Sequence, residues 1–341
     1  MKPLLIITHN GICNLTSAIS KLSELLSEKV SKTNEVIEEN LSSKETPIIG
    51  DIASHLINSG GKRIRPLLTL VASKLFDYKG EKDTFLAAAI EYIHSATLLH
   101  DDVIDRSEKR RGLKTANLIW TNKYSVLVGD FLFSRAFQLM VKTKSLKIMR
   151  TLSDASTIIS QGEILQVGIE KKLDASQEDY LKVIQGKTSA LFSAACQAGA
   201  EITEASDSHA QALRVYGECI GTSFQLIDDL LDYLGDENKM GKNTGNDFFE
   251  KKITLPIIHA YEHSSAPEKK FIEETFQKPT LNQTDLNNFL EIFENRKSLL
   301  FTKNQASIWT ERSINALQIV ENSDVKALMI GLAEEILDRV S

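Results

Sequence analysis

The sequence has few cysteines and no long apolar run. Its three cysteines, Cys13, Cys196 and Cys219, are odd in number and widely spaced. This pattern predicts neither a disulfide framework nor a zinc site, and it favours a reducing, cytoplasmic setting. The apolar stretch over residues 4–8 is far shorter than a membrane span or the core of a signal peptide. We therefore expect no membrane anchor.

Proline is also scarce, and it is missing from the middle of the chain. All six prolines lie outside residues 67–255. A proline inside a helix costs about 3 kcal/mol, so a long stretch without proline favours helical structure. The absence of proline therefore predicts a large helical region.

Neither sign of charge is in large excess. The 40 basic and 46 acidic residues give a net charge of −6. This balance provides no general electrostatic attraction to nucleic acid or to an anionic membrane, so we expect no nucleic-acid partner. Any anionic ligand must instead be bound by a local cluster of basic residues.

Apolar residues recur every three or four positions in four segments of the chain. These segments are residues 85–105, 125–141, 151–169 and 218–234. This spacing is typical of helices, and the wide apolar faces indicate helices that are buried among other helices. The polar breaks between them are short and no linker divides the chain. The sequence therefore predicts a single all-α domain over residues 1–341, in which residues 1–45 form a peripheral segment.

Two of these helical segments carry the same acidic motif, DDxxD, at residues 101–105 and 228–232. The six carboxylates are Asp101, Asp102, Asp105, Asp228, Asp229 and Asp232. Like charges four residues apart destabilise a helix by a few tenths of a kcal/mol, and burying them without partners costs far more. If the two helices face each other, Mg²⁺ resolves this conflict, because it binds carboxylates together with substrate phosphates.

Two other interpretations of the acidic motifs are weaker. A solvated acidic patch explains one motif, but two copies on two apolar helices, each followed by basic residues, argue against it. A di-iron helical bundle requires Glu-x-x-His pairs on two helices. The chain has one such pair, Glu91 and His94, and no second copy.

Basic residues cluster close to both acidic motifs. Lys62, Arg63 and Arg65 lie in "GGKRIRP" at a predicted helix start, where backbone N–H groups and side chains favour anions. Arg110 and Arg111 follow the first motif, and an arginine fork suits phosphate oxygens. The others are Lys187 with Thr188 in "GKT", and Lys239, Lys242, Lys251 and Lys252 after the second motif. His94 precedes Asp101 by two turns on nearly the same helix face, which suits a neutral hydrogen-bond donor to phosphate.

These segments resemble, in order, the motifs of the trans-isoprenyl diphosphate synthases, or polyprenyl synthetases. The matching segments are "GGKRIRP", "HSATLLHDDVIDRSEKRRG", "VLVGDFLFSRAF", "GKT", "FQLIDDLLDY" and "GKNTGNDFFEKKITLP". The resemblance runs from about residue 45 to residue 260 and is strongest to the long-chain, octaprenyl type. The chain departs from the family at Asn246, where a second aspartate is frequent, and at Lys251, which replaces a glycine.

The resemblance implies a helical bundle around a deep central cavity, usually a homodimer. It implies an Mg²⁺-dependent prenyltransferase that adds isopentenyl diphosphate repeatedly to an allylic diphosphate such as farnesyl diphosphate. The long product is expected to serve as a quinone side chain, and contact with a membrane is expected only for product release. A shorter-chain synthase, making farnesyl or geranylgeranyl diphosphate, is the nearest alternative.

The resemblance also assigns roles to individual residues. It assigns Mg²⁺ binding to Asp101, Asp105 and Asp228, supported by Asp102, Asp229 and Asp232. It assigns the allylic diphosphate to Arg110, Lys187, Thr188, Gln225, Lys242 and Lys252. It assigns isopentenyl diphosphate to Lys62, Arg65, His94 and Arg111. It assigns product length to Ala96, although helix geometry alone directs Thr97 more closely beneath Asp101. We expect the floor of the cavity at Leu139 or Met140 on the neighbouring helix.

Two interpretations from other classes remain at this point. A metal-dependent phosphohydrolase is suggested by the adjacent His100 and Asp101, but the other histidines form no cluster of metal ligands. A non-catalytic subunit of a synthase is expected to lose charged site residues, whereas this chain keeps them.

Overall fold

The computed structural model describes residues 17–170, 172–234 and 245–340, and these are almost entirely helical. The all-α prediction is confirmed. Each of the four predicted helical segments lies within a longer helix or ends within one residue of it. Two short strands are present as well, and the sequence had not predicted them.

The first part of the chain forms four helices. They are α1 (Ala18–Leu25), α2 (Ser27–Asn40), α3 (Ile48–Asn58) and α4 (Ile64–Leu75). The described part of the peripheral amino-terminal segment is divided between α1 and α2 at Leu26. Because Leu22 and Leu26 are both buried, α1 is fixed against the core.

The central part contains the longer helices that carry the first acidic motif and its neighbours. They are α5 (Lys82–Ile104), α6 (Ala116–Ile119), α7 (Asn122–Lys142) and α8 (Leu146–Ile169). Between α5 and α6 the strands β1 (Lys109–Arg110) and β2 (Leu113–Lys114) pair antiparallel. α8 begins at a cap in which the Ser145 hydroxyl accepts a hydrogen bond from the Ile148 N–H at 3.3 Å.

The next part carries the GKT segment and the second acidic motif. It consists of α9 (Gln177–Ile184), a π-helical turn (Gln185–Ser189), α10 (Ala190–Glu201) and α11 (Asp207–Leu234). The helices of the last part are α12 (Asn246–Phe249), α13 (Leu255–His263), α14 (Ala266–Gln277), α15 (Gln283–Arg296), α16 (Ser298–Ala316) and α17 (Asp324–Asp338). A short 3₁₀ turn (Leu317–Ile319) joins the last two.

The apolar residues form two buried clusters. One is built mainly from α4, α10, α11 and the helices after residue 250, and the other mainly from α3, α5, α7 and α8. α5 packs along α7, while α11 packs against both α10 and α16. The carboxyl-terminal ends of α5 and α11, which carry the acidic motifs, therefore belong to helices held firmly on several sides.

None of the helices in the described ranges has the length and apolar content needed to cross a membrane. Cys196 and Cys219 are buried and free. Cys13 lies outside the described residues.

Candidate active site

The first acidic motif ends α5, and its aspartates have different environments. Asp102 is almost completely buried, and its Oδ1 accepts hydrogen bonds from Arg110 Nε at 3.0 Å and Nη2 at 2.8 Å. Asp105 is the C-cap residue of the helix. Arg110 was assigned to the allylic diphosphate from the sequence, but in this structure its guanidinium is bound to Asp102. Removing Arg110 would leave the buried carboxylate of Asp102 without a counter-ion, so Arg110 acts first as the counter-ion of Asp102.

The hairpin formed by β1 and β2 explains how Arg110 and Arg111 are separated. Arg111 and Gly112 both have positive φ angles, 52° and 81°, as the type I′ turn of a two-residue hairpin requires. Arg110 is the last residue of β1 and Arg111 is the first residue of the turn, so the chain changes direction between them. Arg110 reaches Asp102, whereas Arg111 reaches a cavity near the start of α4.

Asp101 lies in a mixed-charge cluster that includes a residue the sequence motifs do not mark. Lys187 Nζ is 3.0 Å from Glu163 Oε2 and 3.9 Å from Asp101 Oδ2. The pKa of Asp101 is raised to about 7, chiefly by burial; Lys187 opposes this shift, and the carboxylates of Glu163 and Asp105 add to it. Because a carboxyl group with this pKa is poorly stabilised as an anion, the cluster favours an additional cation beside Asp101.

The π-helical turn positions Lys187 and Thr188. A Cβ atom added to Gly186 would lie 2.8 Å from Gly162 Cα, so the backbones of the turn and of α8 are in direct contact. π-Helical turns are rare and are found frequently at functional sites. This contact holds Lys187 beside Glu163, one residue after Gly162 on α8.

The second acidic motif contains a buried hydrogen-bond network around Asp229. Asp229 Oδ2 accepts a hydrogen bond from the Tyr180 hydroxyl at 2.5 Å, and Oδ1 accepts one from Gln225 Nε2 at 2.7 Å. Gln225 Oε1 accepts in turn from the Thr188 hydroxyl at 2.9 Å. Burial raises the pKa of Asp229 to about 8. Asp229 therefore fixes Gln225 and Thr188 in place, and Tyr180 is a supporting residue that no motif indicated.

Asp228 and Asp232 lie on the more open side of α11. Asp228 Oδ1 is 2.8 Å from Arg339 Nη1, directly after α17. Asp232 Oδ2 accepts the Asp247 backbone N–H at 3.0 Å, and burial raises the pKa of Asp232 to about 6. This hydrogen bond ties the chain after residue 244 back to the second motif.

Lys252 lies between the two acidic motifs. Its Nζ is 3.4 Å from Asp247 Oδ1 and 2.6 Å from Glu250 Oε2. Burial opposes its charge, but the carboxylates of Asp247 and Glu250, together with that of Asp105, raise its pKa. Because Asp105 belongs to the first motif and Asp247 contacts the second, Lys252 interacts electrostatically with the neighbourhood of both motifs.

The carboxylates fit a metal ion that is completed by substrate. Within the described ranges, no three His, Cys, Asp or Glu side chains converge closely enough to hold an ion by themselves. Mg²⁺ usually takes one or two carboxylates and completes its shell with water and phosphate oxygens. The raised pKa values of Asp101 and Asp232 also favour a bound metal ion, because its positive charge would stabilise both carboxylates.

A separate cavity of about 190 Å³ lies at the start of α4, and its lining is rich in basic side chains. Its charged lining residues are Lys62, Arg63, Arg65, Glu91, Arg111, Glu335 and Arg339. The backbone conformation of "GGKRIRP" shapes it, because Gly60 and Gly61 have φ angles of 96° and 137°. A Cβ atom on Gly61 would lie 2.7 Å from the Arg111 guanidinium. The glycines therefore let the chain pass directly over Arg111.

His94 and Arg65 line the inner end of this cavity as a hydrogen-bonded pair. Arg65 Nη1 is 3.2 Å from His94 Nε2, and since arginine only donates, Nε2 accepts. Burial and then the charges of Arg65 and Arg111 hold the pKa of His94 well below its usual value. A neutral ring that accepts at Nε2 carries its proton on Nδ1. The neutral state expected from the sequence is therefore the state that the structure favours.

A second cavity, of about 580 Å³, runs from Asp101 between α5, α7 and α8. Its lining includes Thr97, Ile104, Phe133 and Ile159, together with polar residues such as Asp130, Ser156 and Glu163. We call it the apolar cavity, after the isoleucines and the phenylalanine in its wall. The residues assigned to chain length do not line this cavity: Ala96, Leu139 and Met140 are all buried in the adjacent core. Thr97, one residue after Ala96, forms the wall, as helix geometry had indicated. The role of Ala96 in product length stays a prediction.

Two remaining assignments concern Lys242 and His100. Lys242, with Lys239, lies outside the described residues. His100 faces α7, where its Nε2 lies 3.2 Å from the Val126 carbonyl oxygen and 3.5 Å from Asp130 Oδ1. It therefore does not join Asp101 in a His-Asp metal pair, which removes the feature that suggested a phosphohydrolase.

The comparisons with known proteins agree with this geometry. Residues 46–293 match the family model described as polyprenyl synthetase. The chain is 38% identical to an octaprenyl diphosphate synthase of Escherichia coli, over 94% of this chain and 99% of the relative. It superimposes on a decaprenyl diphosphate synthase from Rhodobacter capsulatus with a TM-score of 0.91 and 42% identity, covering 95% and 99% of the two chains. A polyprenyl synthase from Caulobacter crescentus, solved with calcium and isoprenyl diphosphate, gives a TM-score of 0.90 and 40% identity, covering 95% and 98%.

Proposed function

The chain belongs to the polyprenyl synthetase family and is a prenyltransferase that makes long-chain all-trans-polyprenyl diphosphates; from this premise we propose that Mg²⁺ is its metal and farnesyl diphosphate its primer. The octaprenyl class is the proposed product, since octaprenyl diphosphate synthases of two bacteria are 37% and 38% identical to it. Isopentenyl diphosphate and an allylic diphosphate are the substrates of the family.

One structural arrangement carries this proposal: the first acidic motif, the arginine-lined cavity at the start of α4 and the cavity between α5, α7 and α8 all border the second half of α5. Asp101 belongs to the acidic motif and to the wall of the apolar cavity. His94, two turns earlier on α5, lines the arginine cavity. One helix therefore sets the relative positions of two diphosphates and of the growing hydrocarbon chain.

The reaction needs charge stabilisation rather than a nucleophilic side chain. The allylic carbon–oxygen bond breaks, giving diphosphate and a delocalised cation. The alkene of isopentenyl diphosphate attacks that cation, forming the new carbon–carbon bond, and a proton is then lost to the released diphosphate. Mg²⁺ bound at the aspartates would stabilise the charge on the leaving diphosphate.

The roles of the chain's own residues follow from their positions. Lys62, Arg65 and Arg111 hold isopentenyl diphosphate by charge-assisted hydrogen bonds, and His94 Nδ1–H is the neutral donor beside them. Lys187 binds the allylic diphosphate together with Thr188, whose hydroxyl donates a hydrogen bond to Gln225. Apolar side chains such as Phe133 exclude water, which would otherwise capture the cation.

The substrate and metal requirements test this function directly. The purified chain is incubated with isopentenyl diphosphate and farnesyl diphosphate, and inorganic diphosphate release is measured. We expect release only when both substrates and Mg²⁺ are present, and a chelator should abolish it because the aspartates cannot hold the leaving group alone. Release from either substrate alone would instead indicate a phosphohydrolase.

We propose that the enzyme is a homodimer joined through α7 and α8. These helices expose many large apolar side chains, namely Tyr124, Val126, Leu127, Phe137, Val141, Ile158, Ile164, Leu165 and Val167. Apolar patches of this extent indicate an interaction surface. Ile164 is 73% exposed and also lines the apolar cavity, so a second copy bound here would cover that side of it. Light scattering should give twice the mass of 38.0 kDa, and a monomeric mass at micromolar concentration would contradict this.

We further propose a cytoplasmic location. The supporting observation is that Cys196 and Cys219 are buried as free thiols, a state that a reducing compartment preserves.

A further inference from the structure

Glu91 places a buried carboxylate in the cavity that binds an anion. It lies on α5 one turn before His94, is 8% exposed and lines the arginine cavity. Within the described residues, its Oε2 has no hydrogen-bond partner. Buried polar atoms are nearly always hydrogen-bonded, so an unpartnered carboxylate oxygen here requires a functional explanation.

The simplest explanation is that Glu91 holds the arginines in place, but the contacts do not support it. No arginine or lysine nitrogen in the described part of the chain lies within 4.0 Å of the Glu91 carboxylate. Other groups hold the arginines. Arg63 donates to Asn34 Oδ1, while Arg65 donates to His94 and stacks over the Phe192 ring at 4.3 Å. Glu91 therefore acts on the cavity through its charge rather than by a direct contact.

That charge lowers the positive potential of the cavity. Its lining includes five cationic side chains, Lys62, Arg63, Arg65, Arg111 and Arg339, against two carboxylates, Glu91 and Glu335. Burial raises the pKa of Glu91, and the charges of Arg63, Arg65 and Arg111 oppose that shift. A buried charge is poorly screened, so its repulsion acts on a diphosphate bound nearby.

The reaction supplies a reason for limiting the affinity of this cavity. In each condensation, isopentenyl diphosphate contributes its diphosphate to the elongated product. That diphosphate must then leave the arginine cavity and reach the acidic motifs before the next unit binds. A cavity that holds diphosphate too tightly would stop elongation after an early step.

We propose that Glu91 weakens diphosphate binding in the arginine cavity and so allows the elongated chain to transfer after each condensation. This inference rests on the proposed function, because it needs a reaction with repeated additions. It assigns Glu91 a charge-tuning role that differs from that of the cationic residues around it.

The test compares three variants with the wild-type enzyme. Glu91→Gln keeps the shape and removes the charge. We expect the KM for isopentenyl diphosphate to fall about threefold or more, turnover to slow after the first condensation, and products to become shorter. Glu335→Gln is the matched control, since Glu335 is only partly buried and accepts from the Ile19 N–H, so smaller changes are expected. Arg65→Ala should raise the KM for isopentenyl diphosphate, whereas Glu91→Gln lowers it.

A binding measurement separates this inference from the proposed function. Inorganic diphosphate is titrated calorimetrically without any divalent metal, so that the acidic motifs do not bind it. Glu91→Gln should bind it more tightly than wild type, whether or not the enzyme makes long products. If the glutamine variant does not fold, Glu91→Met removes the same charge and takes its place. Unchanged or weaker binding, or a raised KM with normal product lengths, would overturn the proposal.

Discussion

Replacing Asp101 or Asp228 with alanine should lower turnover by orders of magnitude while the helical fold remains intact. Asp101 lies in the last turn of α5, and Asp228 lies on α11. Lys187 is the cation near Asp101, and Arg339 is the cation near Asp228. Neither cation stabilises a leaving diphosphate as a divalent ion does. Losing one carboxylate therefore removes a ligand of the divalent ion that stabilises the leaving diphosphate. Because this stabilisation acts in the transition state, its loss lowers kcat.

The measurement combines steady-state kinetics with circular dichroism. Asp154→Ala is the control, because Asp154 is an exposed carboxylate on α8 outside both cavities, and it should behave as wild type. Asp101→Asn adds a sharper comparison, since it keeps the shape and removes the charge. Rates close to wild type in both Asp101→Ala and Asp228→Ala would show that the metal site lies elsewhere.

The substitution Thr97→Tyr should convert the enzyme from a long-chain to a short-chain synthase. Thr97 lines the apolar cavity one turn below Asp101, so an aromatic ring there projects into the path of the growing chain. Condensation itself should continue, because the diphosphate-binding residues are unchanged. Thr97→Ser is the matched control, which adds no volume and should keep the full product length.

Ala96→Tyr should also shorten the product, but by a different physical route. Ala96 is fully buried in the core beside the cavity, so a large ring there must displace its neighbours before it reaches the chain. Overpacking of this kind costs about 1–3 kcal/mol, which a lower Tm will report. Shortening by Ala96→Tyr without any loss of stability would mean that position 96 already faces the cavity. Full-length product from both tyrosine variants would contradict the cavity assignment.

The sequence predicted the all-α fold, which is confirmed, and it proposed site residues without predicting the contacts between them. Helical periodicity located α5 and α11, and two acidic motifs on apolar helices indicated that these helices share a cation. Such patterns are local, and local spacing determines which residues share a helix face. Arg110 shows the limit, because its pairing with Asp102 depends on a hairpin of two-residue strands that no periodicity reveals.

Other features lay outside the reach of any motif. Glu163 contributes to the charge around Asp101 only because the π-helical turn contacts α8 at Gly162. Tyr180 supports Asp229 from a different helix. Long-range contacts of this kind depend on how helices pack, and a single sequence gives little information about packing.

The chain length of the product tests the central claim most directly. The purified enzyme is incubated with Mg²⁺, farnesyl diphosphate and excess isopentenyl diphosphate, and the dephosphorylated products are separated by reversed-phase chromatography beside polyprenol standards. We predict that the main product is a long-chain all-trans polyprenol of the octaprenyl class. A main product that stops at geranylgeranyl length, or recovery of the primer without elongation, would contradict the account.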